Sequence, residues 1–104
     1  MMELPDPARL PLVVAFDTES TGLTRRDRAF GISAAWDAGI SAPQGGYWDL
    51  RQVPKALEWL GDVSRRPGAR MGAHNAAFDR KMLTGAGLLM DEHVLDDTVI
   101  RAVM

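Results

Sequence analysis

The residues that most clearly suggest chemistry are two carboxylates, Asp17 and Glu19, which follow an apolar run from Leu12 to Phe16. In an extended chain, residues i and i+2 point to the same face, so these two side chains project together from the end of a predicted strand. Like charges held side by side repel each other. A bound cation or a shared proton is the usual reason for such an arrangement.

A third carboxylate, Asp79, lies near the start of a predicted helix that begins close to Asn75. The short segment before that helix, around Met71, is predicted to be a strand. If it lies beside the first strand and parallel to it, the helix begins at the edge of the sheet where the carboxylate pair emerges. The three carboxylates then converge. Such hard oxygen ligands suit Mg²⁺ or Mn²⁺, and a pair of these ions can activate water against a phosphodiester.

The elements that must position these residues follow the order β-β-β-α-β-α-(β)-α. This order predicts an α/β domain with a mixed sheet, in which the first three strands are antiparallel and a parallel strand follows, and with helices packed on the sheet. The first strand is expected to stop at Asp17. The three tryptophans are expected to pack in the core rather than stack on bases, and Arg65 and Arg66 are expected to be solvated. The predicted strands lie near residues 12–16, 30–36, 46–50 and 70–74, and the predicted helices begin near residues 53, 75 and 99.

Three segments resemble the DEDD 3′–5′ exonucleases, a family that includes the proofreading domains of DNA polymerases. Phe16–Leu23 resembles the first exonuclease motif, and His74–Leu83 resembles the second. Asp97 and Thr98 resemble an Asp-Thr pair that opens a helix in the polymerase proofreading domains. The resemblance is closest to family A polymerases, including those of phages. It assigns residues 1–104 to part of a 3′–5′ exonuclease domain.

This resemblance implies a ribonuclease H-like fold and metal-dependent hydrolysis of single-stranded DNA from its 3′ end, using two Mg²⁺ (or Mn²⁺) ions. Asp17, Glu19 and Asp79 would be the catalytic metal ligands, and Asp97 a supporting carboxylate behind them. A DNA polymerase domain or subunit is the expected partner. Contacts with the 3′-terminal nucleotide and the single strand are implied for Thr18, Thr21, Gly22, Leu23, His74, Asn75 and Phe78.

The sequence departs from the family pattern at one point. The family has a third motif, in which a Tyr or His precedes a fourth carboxylate on a later helix, and the sequence ends before it. His93 and Asp96 come too soon after Asp79 to supply that motif. The domain is therefore expected to be incomplete at its C-terminus: truncated, completed by a second chain, or inactive. The alternatives are an inactive fragment that binds nucleic acid or a polymerase, and an exoribonuclease of the same family.

Composition excludes several classes of protein. The 104-residue sequence has no cysteine, so disulfide frameworks and thiolate metal sites are excluded. A formal net charge of −2 gives no strong basic signal, although it leaves room for a local basic rim. The sequence shows no signal peptide and no long apolar segment, so a cytoplasmic protein without a membrane partner is expected.

Overall fold

The computed structural model describes residues 3–21, 27–37 and 44–96. These residues form a sheet of four strands with two α-helices and two short 3-10 turns. The helix predicted from residue 99 lies outside the described residues. The strands are β1 (Val13–Ser20), β2 (Ala29–Trp36), β3 (Gln44–Asp49) and β4 (Arg70–Gly72), and the helices are α1 (Lys55–Ser64) and α2 (Ala76–Ala86).

The sheet is mixed, with the strand order β3-β2-β1-β4. β1 pairs with β2, and β2 with β3, in antiparallel fashion, whereas β4 lies parallel to β1 through the pairs Val13–Arg70 and Ala15–Gly72. The prediction of an α/β domain with antiparallel strands first and a parallel strand later is confirmed. Because β4 runs parallel to β1, α2 begins at the edge of the sheet where β1 ends.

β1 is longer than the sequence predicts. The expectation that it stops at Asp17 is wrong, because β2 continues to pair with it as far as Ser20, with an irregularity between Glu19 and Ser20. The two carboxylates therefore lie inside the last part of the strand. Since side chains alternate along a strand, Thr18 points to the opposite face from Asp17 and Glu19.

The main core lies between the two helices and one face of the sheet. Trp48 of β3 packs against Trp59 of α1 with ring centroids 4.8 Å apart. Together with Trp36, these side chains are at most 5% exposed, so the prediction that all three tryptophans pack in the core is confirmed. On the other face of the sheet, Ala15 forms a small separate apolar cluster with Val13 and Ala35, and this cluster includes no helix residue.

The N-terminal segment is held against the end of α1 by Arg66. Its guanidinium donates hydrogen bonds to the carbonyl oxygens of Pro7, Leu10 and Pro11 at 2.8–3.0 Å, and a further bond to that of Val63 at 2.8 Å. The expectation that Arg66 is a solvated charge is therefore wrong. The same expectation is confirmed for Arg65, whose side chain is 62% exposed and whose Nη1 lies 3.6 Å from Oδ1 of Asp62.

Neither helix in the described ranges is long and apolar enough to cross a membrane. α1 has 10 residues and α2 has 11, whereas a spanning helix needs about 20 residues.

Candidate active site

α2 positions Asp79. The Asn75 side chain caps the helix by accepting a hydrogen bond from the backbone N–H of Phe78 at 3.4 Å, as expected for a helix that begins near this residue. The N–H of Asp79 donates to the Asn75 carbonyl at 2.9 Å. The helix ends at Gly87, whose φ of 110° lies in the left-handed region. Asp79 thus stands in the first turn, where the helix dipole favours a carboxylate.

The Asp79 carboxylate is buried against β1, with only 3% of the residue exposed. The hydroxyl of Thr18 donates a hydrogen bond to its Oδ1 at 2.6 Å. The other oxygen, Oδ2, is buried and has no hydrogen-bond partner among the described residues. A buried carboxylate oxygen without a partner is unusual, because the loss of hydration is then uncompensated.

The surroundings of Asp79 raise its pKa. Burial is the main cause, because it penalises the charged form, and the nearby carboxylate of Asp17 adds to the effect. The hydrogen bond from Thr18 and the proximity of His74 act in the opposite direction. Asp17 and His74 are thus the ionisable neighbours whose charges act on the Asp79 carboxyl, in opposite directions.

An open pocket of about 210 Å³ lies beside Asp17. Asp17 and His74 are its ionisable lining residues, and Ser33 adds a hydroxyl. Ser33 stands directly opposite Asp17 in the β1–β2 register. The rest of the wall is apolar and consists of Ala15, Phe16, Ala34 and Ala35. The pocket has room for a small polar group next to one of the predicted metal ligands.

Glu19 is exposed and lies opposite Gly31 of β2. Within residues 3–21, 27–37 and 44–96, no group of three or more acidic or histidine side chains is close enough to hold a metal ion. The alternation of β1 explains this, because Asp79 meets the strand on the Thr18 face while Asp17 and Glu19 point to the other. The convergence of all three carboxylates stays a prediction.

The donor groups nevertheless suit a hard divalent cation. The buried Oδ2 of Asp79 lacks a partner in the described part of the chain, and the pKa of Asp79 is raised in part by the charge of Asp17. A cation shared by the two carboxylates would satisfy that oxygen and cancel the repulsion, and oxygen donors are those that Mg²⁺ and Mn²⁺ prefer.

Thr18 and Thr21, two of the residues expected to contact a substrate, have their hydroxyl groups engaged within the protein. Thr18 is 8% exposed and bonded to Asp79. Thr21 donates to Asp27 at 2.7 Å and accepts from the N–H of Arg28 at 3.2 Å, which links the end of β1 to the residues just before β2. Three further predicted site residues, Gly22, Leu23 and Asp97, lie outside the described residues.

The predicted site residues of the second motif are spread around the start of α2. His74 lines the pocket beside Asp17, and Asn75 is exposed at the helix N-terminus. Phe78 is half-buried and packs against the main core. His74 is thus the member of this group that shares a pocket with a predicted metal ligand. The roles of all three toward a substrate stay predictions.

Two contacts of the site were not predicted from the sequence. One is the hydrogen bond between Thr18 and Asp79, and the other is the position of Ser33 opposite Asp17. The alternation of β1 already places Thr18 away from Asp17, but the face on which α2 packs cannot be read from the sequence. The place of Ser33 depends on the β1–β2 register, which the long connection between the strands does not specify.

Comparison with known proteins relates most of the chain to phage DNA polymerases. Over 91 residues, or 86% of this chain, it is 38% identical to DNA polymerase DpoZ of Vibrio phage phiVC8. The chain is similar to part of a phage DNA polymerase. It is also 31% identical over 105 aligned positions, covering 99% of this chain, to DNA polymerase DpoZ of Acinetobacter phage SH-Ab 15497.

The similarity covers only a small part of each polymerase. The chain spans 14% of the Vibrio phage protein and 16% of the Acinetobacter phage protein. No family model matches the chain. The comparisons therefore establish a relation to one segment of these polymerases.

Proposed function

We propose that this chain is part of the metal-dependent 3′–5′ exonuclease domain of a phage-type DNA polymerase, with a ribonuclease H-like fold. The observation that carries the proposal is the Asp79 carboxylate, which is buried, has its pKa raised in part by the charge of Asp17, and has one oxygen left without a partner among the described residues. A buried charge without compensation destabilises a fold, and a bound cation would remove that penalty. The two exonuclease-like motifs and the similarity to phage DNA polymerases supply the reaction class.

Asp17 and Asp79 are the side chains that would hold the cation in the proposed site, with Glu19 as a third ligand from the same strand as Asp17. When bound, Mg²⁺ or Mn²⁺ supplies charge to neutralise a phosphodiester and lowers the pKa of a bound water. The protein's own contribution is to fix the carboxylates. Asn75 caps α2 and so sets the position of its first turn, and the sheet sets the position of Asp17.

The pocket beside Asp17 is the proposed place for the end of the DNA strand. His74 and Ser33 offer polar groups on its wall, and its alanines leave an apolar surface that a sugar or base can contact. Phe78 lies in the first turn of α2 and is half-buried against the core. Its remaining exposed surface is the part proposed to contact a base, as aromatic side chains do on unpaired strands. Proofreading requires an unpaired 3′ end, so single-stranded DNA is the proposed substrate.

A second candidate is a domain that binds nucleic acid or a polymerase partner without cutting. It is favoured by one observation: the described residues assemble no group of three acidic or histidine side chains able to hold a metal ion. Such a domain would lack the ligands needed for catalysis but would keep the pocket and the two carboxylates Asp17 and Asp79.

The proposed activity is tested with a 5′-labelled single-stranded DNA oligonucleotide and Mn²⁺. The wild-type chain is expected to shorten the DNA stepwise from its 3′ end. Asp17→Asn and Asp79→Asn should each lower the rate about 100-fold or more, because a metal ion contributes several kcal/mol to such a reaction. Asp62→Asn is the matched control, since Asp62 is an exposed acid on α1.

The outcomes separate the candidates. Equal cleavage by wild type and all three variants would contradict the assignment of the two carboxylates. Binding of the oligonucleotide without cleavage would favour the second candidate. An RNA oligonucleotide of the same sequence is run in parallel, and cleavage of RNA alone would identify an exoribonuclease instead.

A further inference from the structure

The hydroxyl of Thr18 donates a hydrogen bond to the Asp79 carboxylate across the interface between β1 and α2. The donor and acceptor atoms are 2.6 Å apart, and both residues are buried, Thr18 at 8% and Asp79 at 3% exposed. A bond to a charged carboxylate is shorter and stronger than a bond between neutral groups, and burial protects it from competition by water. Thr18 therefore restrains the rotation of the Asp79 carboxylate.

The bond also distinguishes the two oxygens of that carboxylate. Oδ1 is occupied by Thr18, whereas Oδ2 is buried with no partner in the described ranges. Oδ2 is thus the atom left for a cation. Without the Thr18 hydroxyl, neither oxygen would be held by a side-chain hydrogen bond from the described residues.

We propose that Thr18 is a positioning residue of the metal site: its hydroxyl fixes Asp79 so that Oδ2 is the metal-binding oxygen. The inference rests on the proposed function and assigns Thr18 a role distinct from the substrate contact expected from sequence. Groups that hydrogen-bond a metal ligand from behind typically change metal affinity about 10- to 100-fold when they are removed.

The position of Thr18 in β1 makes this role compatible with the rest of the site. Asp17 points to one face of the sheet and Thr18 to the other, because side chains alternate along a strand. Thr18 meets Asp79 on the helix face, while Asp17 lines the pocket on the opposite face. The two neighbouring residues would thereby align a ligand on α2 with a ligand on β1.

The test compares Thr18→Val with Thr18→Ser in the full chain. Valine has nearly the shape of threonine without the hydroxyl, and serine keeps the hydroxyl without the methyl group. Mn²⁺ binding is measured by titration calorimetry in the absence of DNA, with Asp79→Asn as the reference for a lost ligand. Thr18→Val should bind Mn²⁺ about tenfold more weakly or worse, and Thr18→Ser should bind it like wild type, because the hydroxyl is kept.

A second readout separates positioning from simple support of the fold. The increase in Tm on addition of Mn²⁺ should be large for wild type and Thr18→Ser, and small for Thr18→Val, because a ligand that binds more tightly raises Tm further. A purely structural role would lower the metal-free Tm of Thr18→Val and leave the Mn²⁺-induced increase unchanged.

The outcomes distinguish this inference from the proposed function. If wild type binds Mn²⁺ more tightly than Asp79→Asn, but Thr18→Val binds like wild type, the role of Thr18 is refuted and the metal site stands. If Asp79→Asn binds like wild type, the metal site itself is refuted. Should Thr18→Val not fold, Thr18→Ala replaces it in the same comparison, and retention of wild-type affinity would overturn the inference.

Discussion

At the scale of single residues, Asp79 is the most unusual group in the described part of the chain. It is buried, its pKa is raised by burial and by Asp17, and only one of its oxygens has a partner there. An ionised carboxylate in such a place destabilises the metal-free fold, because its lost hydration is replaced by a single hydrogen bond. Residues kept at a functional site often carry this kind of energetic penalty.

Replacing Asp79 with asparagine should therefore stabilise the metal-free protein. The asparagine side chain keeps the shape, can still accept the Thr18 bond and carries no charge for Asp17 to repel. Its amide NH2 group takes the place of the unpartnered Oδ2, and burying an amide costs less than burying a charge. We expect a gain of about 1 kcal/mol, which for a domain of about 100 residues is roughly 4–8 °C in Tm. The measurement is thermal unfolding in the presence of a chelator at neutral pH.

The control for this prediction is Asp62→Asn, whose exposed position on α1 should leave the free energy of unfolding within about 0.5 kcal/mol of wild type. Addition of Mn²⁺ should reverse the order of stability by raising the Tm of wild type and not that of Asp79→Asn. A metal-free Tm below that of wild type for Asp79→Asn would show that the carboxylate is a stabilising structural group.

At the scale of elements, the site depends on β1, β4 and the first turn of α2. The sequence predicts these elements because Val13 to Phe16 is an apolar run suited to a central strand and Asn75 is a good helix cap. It does not predict that β1 continues through Glu19, because two carboxylates two residues apart locally favour the end of a strand. Pairing with β2 overrides that local signal.

The N-terminal segment shows the same limit of local patterns. Trp59 is buried as predicted, but the partner of its indole N–H is the Pro5 carbonyl at 2.7 Å, far away in the sequence. Arg65 and Arg66 are identical in type and adjacent, but only Arg66 meets the carbonyls of residues 7–11. Long-range partners decide these contacts, and a sequence window around α1 does not contain them.

Arg66 should therefore matter more to stability than Arg65. Arg66→Met keeps much of the aliphatic stem but leaves the carbonyls of Pro7, Leu10 and Pro11 without their donor. We expect a loss of about 2 kcal/mol in the free energy of unfolding, the usual range for hydrogen bonds to a charged group. Urea denaturation followed by circular dichroism measures the change.

Arg65→Met provides the matched comparison. Its exposed contact with Asp62 at 3.6 Å should contribute about 0–1 kcal/mol. Equal destabilisation by the two substitutions would mean that Arg66 does not anchor the N-terminal segment.

At the scale of the whole molecule, the sheet has two different faces. One is covered by both helices and holds the main core, and the other carries the small cluster of Ala15 with Val13 and Ala35 beside the pocket at Asp17. The mixed sheet and its order of elements could be predicted from the periodicity of the sequence. The assignment of Asp79 to the Thr18 face could not, because helix packing on either face satisfies the same apolar pattern.

Because Asp79 lies on the Thr18 face, the proposed metal site contains only two carboxylates among the described residues. Asp17 and Asp79 interact from β1 and α2, while Glu19 is not grouped with them there. The similarity to 14–16% of the length of two phage DNA polymerases relates this segment to a much larger type of protein. The proposed exonuclease reaction depends first on whether the acidic pair takes up a cation.

Mn²⁺ binding followed by electron paramagnetic resonance tests that point most directly, since free and bound Mn²⁺ give distinct signals. We predict that wild type and Asp62→Asn bind Mn²⁺ with similar affinity, and that Asp17→Asn and Asp79→Asn each bind about tenfold more weakly or worse. Absence of binding by wild type, or equal binding by all four proteins, would contradict a metal site at Asp17 and Asp79.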